Sequence, residues 1–238
     1  MTPLLSVVIP VLGAEDALAR TLASWEAARA AGWVELIVQD ATPGAASSQA
    51  PGLHRWAEPD GGIYDAMNRG RGRARATWIL FVGAGDELLN GTKLKQALEN
   101  GRAPLQVFGT CLAAPREPGV PETYPARWDA GLRWRHVVHH QGVCYRVDAL
   151  TREPFDLQWK VLADYALHLK LWKAGITAEC YEFNALEVAA GGISRRFDAA
   201  LYVEEWRMKR AVLGALDAVI QAPWLVAKWA YKRTARWR

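Results

Sequence analysis

The chain lacks a long hydrophobic run. Its longest apolar stretches, such as Leu4 to Leu12, are far too short to span a bilayer. That first run has no basic segment before it and is interrupted by Ser6 and Pro10, so it reads as a buried strand rather than a secretory leader, and a cytoplasmic location is expected. Cysteine is scarce and unpaired: Cys111, Cys144 and Cys180 form no zinc-type spacing and no disulfide framework. No G-x-G-x-x-G follows the first strand, which disfavours a dinucleotide-binding dehydrogenase. The basic, glycine-rich loop that a sugar nucleotidyltransferase would place there is replaced by Leu12-Gly13-Ala14-Glu15. Internal repeats and low-complexity segments are absent as well.

What is present suits one sizeable α/β domain of 238 residues. Leu4–Val11, Val34–Val38 and Trp78–Val82 read as apolar strands, with Leu53–Trp56 a further short strand between them. Ala17–Ala31 and Ile63–Arg73 read as helices between them, and Ala41–Gly52 as a loop. Such alternation predicts a doubly wound sheet, whose ligands bind outside the carboxyl ends of the strands. Pro104–Arg135, with several prolines, is expected to be an irregular or hairpin insertion over the site. Beyond it the pattern predicts a strand at Val143–Tyr145, a helix at Val161–Lys173, a strand at Thr177–Tyr181 and a long helix around Ala199–Ile220.

Asp40 and Asp86 end two of the apolar strands, and Asp164 lies in a largely apolar helix. Each alone reads as a cap or turn acid. Three acids converging on one sheet edge point instead to hard oxygen chemistry, with magnesium or manganese held jointly with substrate phosphates.

These residues carry a resemblance. Ser6–Pro10, Val34–Asp40, Glu58-Pro59-Asp60-Gly61-Gly62-Ile63-Tyr64-Asp65-Ala66-Met67-Asn68-Arg69-Gly70, Trp78–Asp86, His140-Gln141, Ala163-Asp164-Tyr165 and Gly191-Gly192-Ile193-Ser194 are similar to family 2 glycosyltransferases of the GT-A fold, across roughly residues 4 to 196. The resemblance implies a Rossmann-like, doubly wound mixed sheet at residues 1–197, with C-terminal helices at 198–238. It implies an inverting transfer of a sugar from a nucleotide-diphosphate donor to an acceptor hydroxyl, as in bacterial surface polysaccharide synthesis, where acceptors are often lipid-linked. Asp164 matches the catalytic base. Pro10, Asp40, Asp60, Asp65, Asn68, Gly85 and Arg195 match the donor side, His140 and Gln141 the acceptor side, and Asp86 the metal position, taken by Mn2+ or Mg2+. Arg195 and Arg196, on a glycine-hinged loop, could close over the diphosphate.

The chain departs from the family at Gly85, where a first metal-motif acid is usual, at Gly13, and at Ala41-Thr42-Pro43-Gly44. These departures keep a rival open, a catalytically degenerate nucleotide-sugar-binding or scaffold protein. Asp164 also has a structural alternative, an ion pair with Lys160 or His168 on its own helix.

The tail has its own signal. Residues 224–238 carry Lys228, Lys232, Arg233, Arg236 and Arg238 without an acid, together with Trp224, Trp229 and Trp237. Lys228, Lys232 and Arg236 recur every four residues, which predicts an interfacial helix with its cations toward an anionic membrane surface. Pro223 is expected to separate this tail from the preceding helix. Nucleic acid is disfavoured, because the cations are confined to the end rather than lining a groove.

Overall fold

In a computed structural model of the chain, residues 2–114, 121–190 and 198–235 are described, with side chains of the last helix through residue 231. The strands are β1 (Leu5–Val11), β2 (Val34–Asp40), β3 (Ser48–Ala50), β4 (Leu53–Ala57), β5 (Trp78–Phe81), β6 (Glu87–Leu88), β7 (Leu105–Leu112), β8 (Thr123–Tyr124), β9 (Val143–Arg146) and β10 (Ala178–Val188). The helices are α1 (Glu15–Ala30), α2 (Ile63–Arg73), α3 (Gly91–Asn100), α4 (Ala163–Lys173), α5 (Ala199–Leu213) and α6 (Ala215–Ala235). One mixed sheet runs β3-β4-β2-β1-β5-β9-β7-β10-β6, with β8 beside β7. Its left half, β4-β2-β1-β5, is parallel. Strand β9 enters antiparallel between β5 and β7, and β7 then pairs in parallel with β10.

The sheet is buried on two faces, and alternate residues divide between two cores as strand geometry requires. Val8, Ile37 and Ile79 join Met67 of α2 and Leu169 of α4. Val7, Ile9, Leu36, Val38 and Leu80 join Leu18 and Trp25 of α1 and Leu94 of α3. Helix α2 lies close on β1: a Cβ added at Gly70 would stand 2.3 Å from Val8 Cγ1. Only glycine permits that approach without moving the helix.

Three expectations are corrected. Pro104–Arg135 does not form only an insertion, because it opens with the eight-residue strand β7, whose Leu105 and Val107 are fully buried. Strand β10 runs on to Val188 through register shifts between Tyr181 and Leu186, so the polar residues there interrupt the pattern and not the strand. The long helix breaks at Gly214, and Pro223 lies inside α6 rather than before it. Helix α5 sends Met208 and Val212 into the first core, which joins the C-terminal helices to the sheet.

Candidate active site

Asp40 is the last residue of β2 and is 1 % exposed. Its Oδ1 accepts from the Thr42 N–H at 2.8 Å, and its Oδ2 accepts from Arg55 Nε at 2.8 Å. Arg55 reaches back from β4 and also touches Glu15. Burial works against the charge of Asp40, but the bonds from Thr42 and Arg55 outweigh it and hold the carboxyl below its ordinary value. Pro10 is buried in β1, in register with Gln39, one residue before Asp40.

The segment before α2 organises its own turn. Asp60 Oδ1 accepts from the Gly62 N–H, and Asp65 Oδ2 from the Gly61 N–H, each at 2.8 Å. Asp65 also pairs with Arg69 at 2.9 Å. The Gly61 bond is the main reason the Asp65 carboxyl sits below its ordinary value. Asn68 faces inward: its Nδ2 donates to the Phe155 carbonyl at 2.8 Å, and its Oδ1 accepts the Phe155 N–H at 2.9 Å. It therefore clamps α2 to the chain that leads into α4. In this arrangement Asn68 serves as a structural clamp.

Asp86 lies in the turn after β5, 2 % exposed. Its Oδ2 accepts from the Gly83 N–H at 2.6 Å and its Oδ1 from the Ala189 N–H at 2.9 Å, which ties the turn to the end of β10. Burial pushes its carboxyl above the ordinary value. Gly85 stands at φ +102°, and a Cβ there would meet Ala189 Cβ at 3.0 Å. A side chain at that position would be strained in this turn, so the glycine and the local backbone go together.

Asp164 opens α4 and is 8 % exposed. Its Oδ1 accepts from the Tyr64 hydroxyl at 3.2 Å and from the Tyr165 N–H at 2.8 Å, and its Oδ2 lies 3.0 Å from His140 Nδ1. Neither Lys160 nor His168 bonds to it. Burial opposes its charge, but His136, His140 and His168 around it prevail, so the carboxyl stays well below the ordinary range. Behind it His168 is fully buried, bonded to Tyr145 Oη at 2.6 Å and to His136 at 3.2 Å. The decisive link is a single 3-10 turn, His140–Gly142. His140 bonds Asp164, and the same turn lies beside Asp86, whose carboxyl feels the charge of His140. Two acids 78 positions apart, one from the β5 turn and one from α4, are thereby gathered at one end of the sheet.

Tyr64, Arg55 and Glu204 were missed in the sequence reading. Tyr64 is within the D-G-G-I-Y-D run, so its place there was a signal. Arg55 faces Asp40 across the parallel β2–β4 pair, but that pairing is not readable from spacing. Glu204 accepts from the Val161 and Leu162 N–H groups at 2.8 and 2.9 Å and so satisfies the amino end of α4 from α5. Arg195 lies outside the described residues. A separate cleft, lined by Arg29, Glu35, His54 and Arg75, opens at the amino ends of the strands, away from these acids.

The chain is 35% identical over 223 residues to an uncharacterized glycosyltransferase of Mycobacterium tuberculosis, covering 87% of this chain and 83% of that protein. It is 30% identical over 189 residues to a PGL/p-HBAD biosynthesis glycosyltransferase of Mycobacterium bovis, covering 71% and 69%. The chain belongs to the glycosyltransferases. No protein-family profile matches it. Among solved structures, this glycosyltransferase superposes on Staphylococcus aureus TarS in complex with UDP-GlcNAc with a TM-score of 0.61 at 15% identity, over 86% of this chain and 65% of that one. It superposes on the mannosyltransferase PcManGT of Pyrobaculum calidifontis, in complex with GDP-Man and Mn2+, with a TM-score of 0.60 at 15% identity, over 99% and 75%. At that identity the likeness establishes the fold, a GT-A-like mixed α/β sheet.

Asp86 alone does not make a divalent-cation site: its side chain is buried, and Gly85 supplies no second acid. Among the described residues no three His, Cys, Asp or Glu side chains are placed to hold a metal. Each Asp86 oxygen keeps a lone pair beside its N–H bond, so a cation could share it, but the remaining ligands would have to come from the substrate phosphates.

Proposed function

We propose that this glycosyltransferase is an inverting enzyme of the family 2 type, moving a sugar from a nucleotide-diphosphate donor to a hydroxyl of a glycan or lipid-linked acceptor. The observation that carries the reading is Asp164: a carboxylate kept ionised and held by Tyr64 and His140, with Asp86 beside the same turn. The donor class is supported by the UDP, UDP-GlcNAc and GDP-Man complexes of the structural neighbours. The word biosynthesis in the name of the M. bovis relative is in keeping with an acceptor of that kind.

In this reading the donor lies across the strand ends, with its nucleobase toward the Asp40–Arg55 pair and its diphosphate near the Asp60–Asp65 turn, where the open N–H groups at the start of α2 face outward. The acceptor enters on the His140 side. Its hydroxyl oxygen attacks the anomeric carbon, the bond to the diphosphate oxygen breaks with its electron pair, and Asp164 takes the hydroxyl proton. The contacts that keep Asp164 ionised also make it a weak base. That suits a late proton transfer, because an alcohol bonding to an oxocarbenium-like centre becomes strongly acidic as the bond forms. His140 and Tyr64 hold the carboxylate in place while it works. Manganese accompanies the donor in the Pyrobaculum protein. For this chain no step is assigned to a metal.

The rival reading, a nucleotide-sugar-binding protein without turnover, is favoured by Asp86, whose oxygens serve the turn. Incubating the protein with UDP- and GDP-sugars and measuring release of the nucleoside diphosphate separates the two. Release that Asp164→Asn suppresses supports transfer chemistry; binding without release in any arm supports the rival.

A further inference from the structure

We infer that the outward face of α6 lies on an anionic lipid bilayer. On this helix apolar residues lie on both sides: Ala218 and Leu225 are buried, and more face outward. Gln221 is fully buried, and Lys228 turns inward to Glu205 at 2.9 Å. The outward side carries Leu216 at 76 %, Val219 at 67 %, Ile220 at 51 %, Trp224 at 45 %, Val226 at 64 % and Tyr231 at 67 % exposure. At about 100° per residue these six fall within an arc of roughly 160°. Single exposed apolar residues are ordinary, but a contiguous stripe along a 21-residue helix marks an interaction surface.

The chemistry of the segment selects the occupant. After Asp217 the chain has no acid, whereas Lys228, Lys232, Arg233, Arg236 and Arg238 follow. Asp217 itself is engaged by Arg133. A second copy of this helix would therefore lay one acid-free cationic segment against another, whereas anionic headgroups supply the missing charge. Trp224 and Tyr231, two turns apart on the stripe, are the side chains that favour headgroup depth. Among the described residues no helix is long and apolar enough to cross a membrane, so α6 lies along the surface. The expected arrangement, with Lys228 toward lipid, is corrected: the lipid side is the apolar one and reaches back to Leu216. This inference stands apart from the sugar-transfer reading.

The test is co-sedimentation of the full chain with phosphatidylcholine vesicles, with and without phosphatidylglycerol. Wild type should pellet with the phosphatidylglycerol vesicles. The double variant Ile220→Glu, Trp224→Glu should lose about a hundredfold in partitioning, about tenfold for each half-buried side chain. Leu216→Glu, at the most exposed position, gives a milder check on a variant certain to retain its packing and should lose about tenfold. Equal pelleting of wild type and both variants overturns the inference. So does a lipid-free dimer that the double variant converts to monomer, which would assign the stripe to a second copy. Nucleoside diphosphate release in the absence of vesicles should be the same in all three proteins, so a failure of lipid binding is distinguishable from a failure of the enzyme.

Discussion

Asp164→Asn separates chemistry from architecture at the proposed base. The asparagine Oδ1 can still accept from the Tyr165 N–H at 2.8 Å and from the Tyr64 hydroxyl at 3.2 Å. Its Nδ2 replaces the oxygen that lies 3.0 Å from His140 Nδ1, and a change of histidine tautomer turns that contact into a donated bond. One charge-assisted bond becomes a neutral one, at a cost of about 1 kcal/mol, or a fall of about 3 °C in Tm for a chain of this size. The proton acceptor is lost outright, and turnover should drop about 10²–10⁴-fold with donor affinity nearly unchanged. Single-turnover transfer and a thermal melt of the same preparation measure both. Near-normal turnover with a large drop in Tm would refute the assignment. The wild-type pH profile adds a second check: with the carboxyl held below its ordinary value, Asp164 imposes no acid limb above about pH 4. Turnover that survives Asp164→Asn but is abolished by His140→Gln would transfer the base role to the imidazole.

Asp86→Ala removes the acceptor for the part-buried Gly83 and Ala189 N–H groups and should cost about 2 kcal/mol of stability, read by urea denaturation; an unchanged midpoint would show that the turn does not need the carboxylate. Gly70→Ala drives a methyl into Val8 and should cost about 1–3 kcal/mol, largely recovered when Val8→Ala is added; additive losses would refute the contact. His168 is buried and its imidazole is held well below its ordinary value. The unfolded chain therefore takes up a proton near pH 6.5 that the folded chain refuses, and stability falls as pH drops below that point, at up to about 1.4 kcal/mol per pH unit. His168→Gln should flatten this slope between about pH 6.5 and 5, and an unchanged slope would place the titration elsewhere.

In the left half of the sheet β1, β2 and β5 were legible because they are largely apolar runs and the helices between them are bounded by local signals, whereas the short exposed β3 lies inside what read as a loop. Ile63–Arg73 was read with its observed limits, since Gly61-Gly62 and Asp65 build the entry turn within five residues. Strand β7 was not, because the prolines of its segment suggested irregularity and because Gln106 and Thr110 break its apolar run, although both are buried. Gly214 is the only local mark of the α5–α6 break, and Pro223 was a misleading one. The strand-end acids were legible as positions but not as environments. Arg55 reaches Asp40 across 15 residues, Tyr64 reaches Asp164 across 100, and His140 reaches it across 24. Spacing along a helix suggested Lys160 or His168 as partners of Asp164 because it reports only neighbours on the same helix.

The C-terminal helices do more for the site than an appendage would. Glu204 and Glu205 are consecutive on α5, and their side chains serve different neighbours. Glu204 satisfies the Val161 and Leu162 N–H groups, immediately before Asp164 on α4. Glu205, 3 % exposed, binds Lys209 at 3.0 Å and Lys228 of α6 at 2.9 Å. Lys209 also donates to the Trp134 carbonyl at 2.8 Å, a few residues before His140. Breaking one partner of such a buried set leaves a charge unpaired at a cost of several kcal/mol, so the three helices hold a fixed spacing rather than sliding. The position of α6 is thereby tied, through one turn of α5, to the amino end of α4 where Asp164 sits. A helix seated on a bilayer through its apolar face would then present the Asp164 edge of the sheet at a set height and tilt above the lipid, the geometry that a transferase acting on a membrane-bound hydroxyl requires.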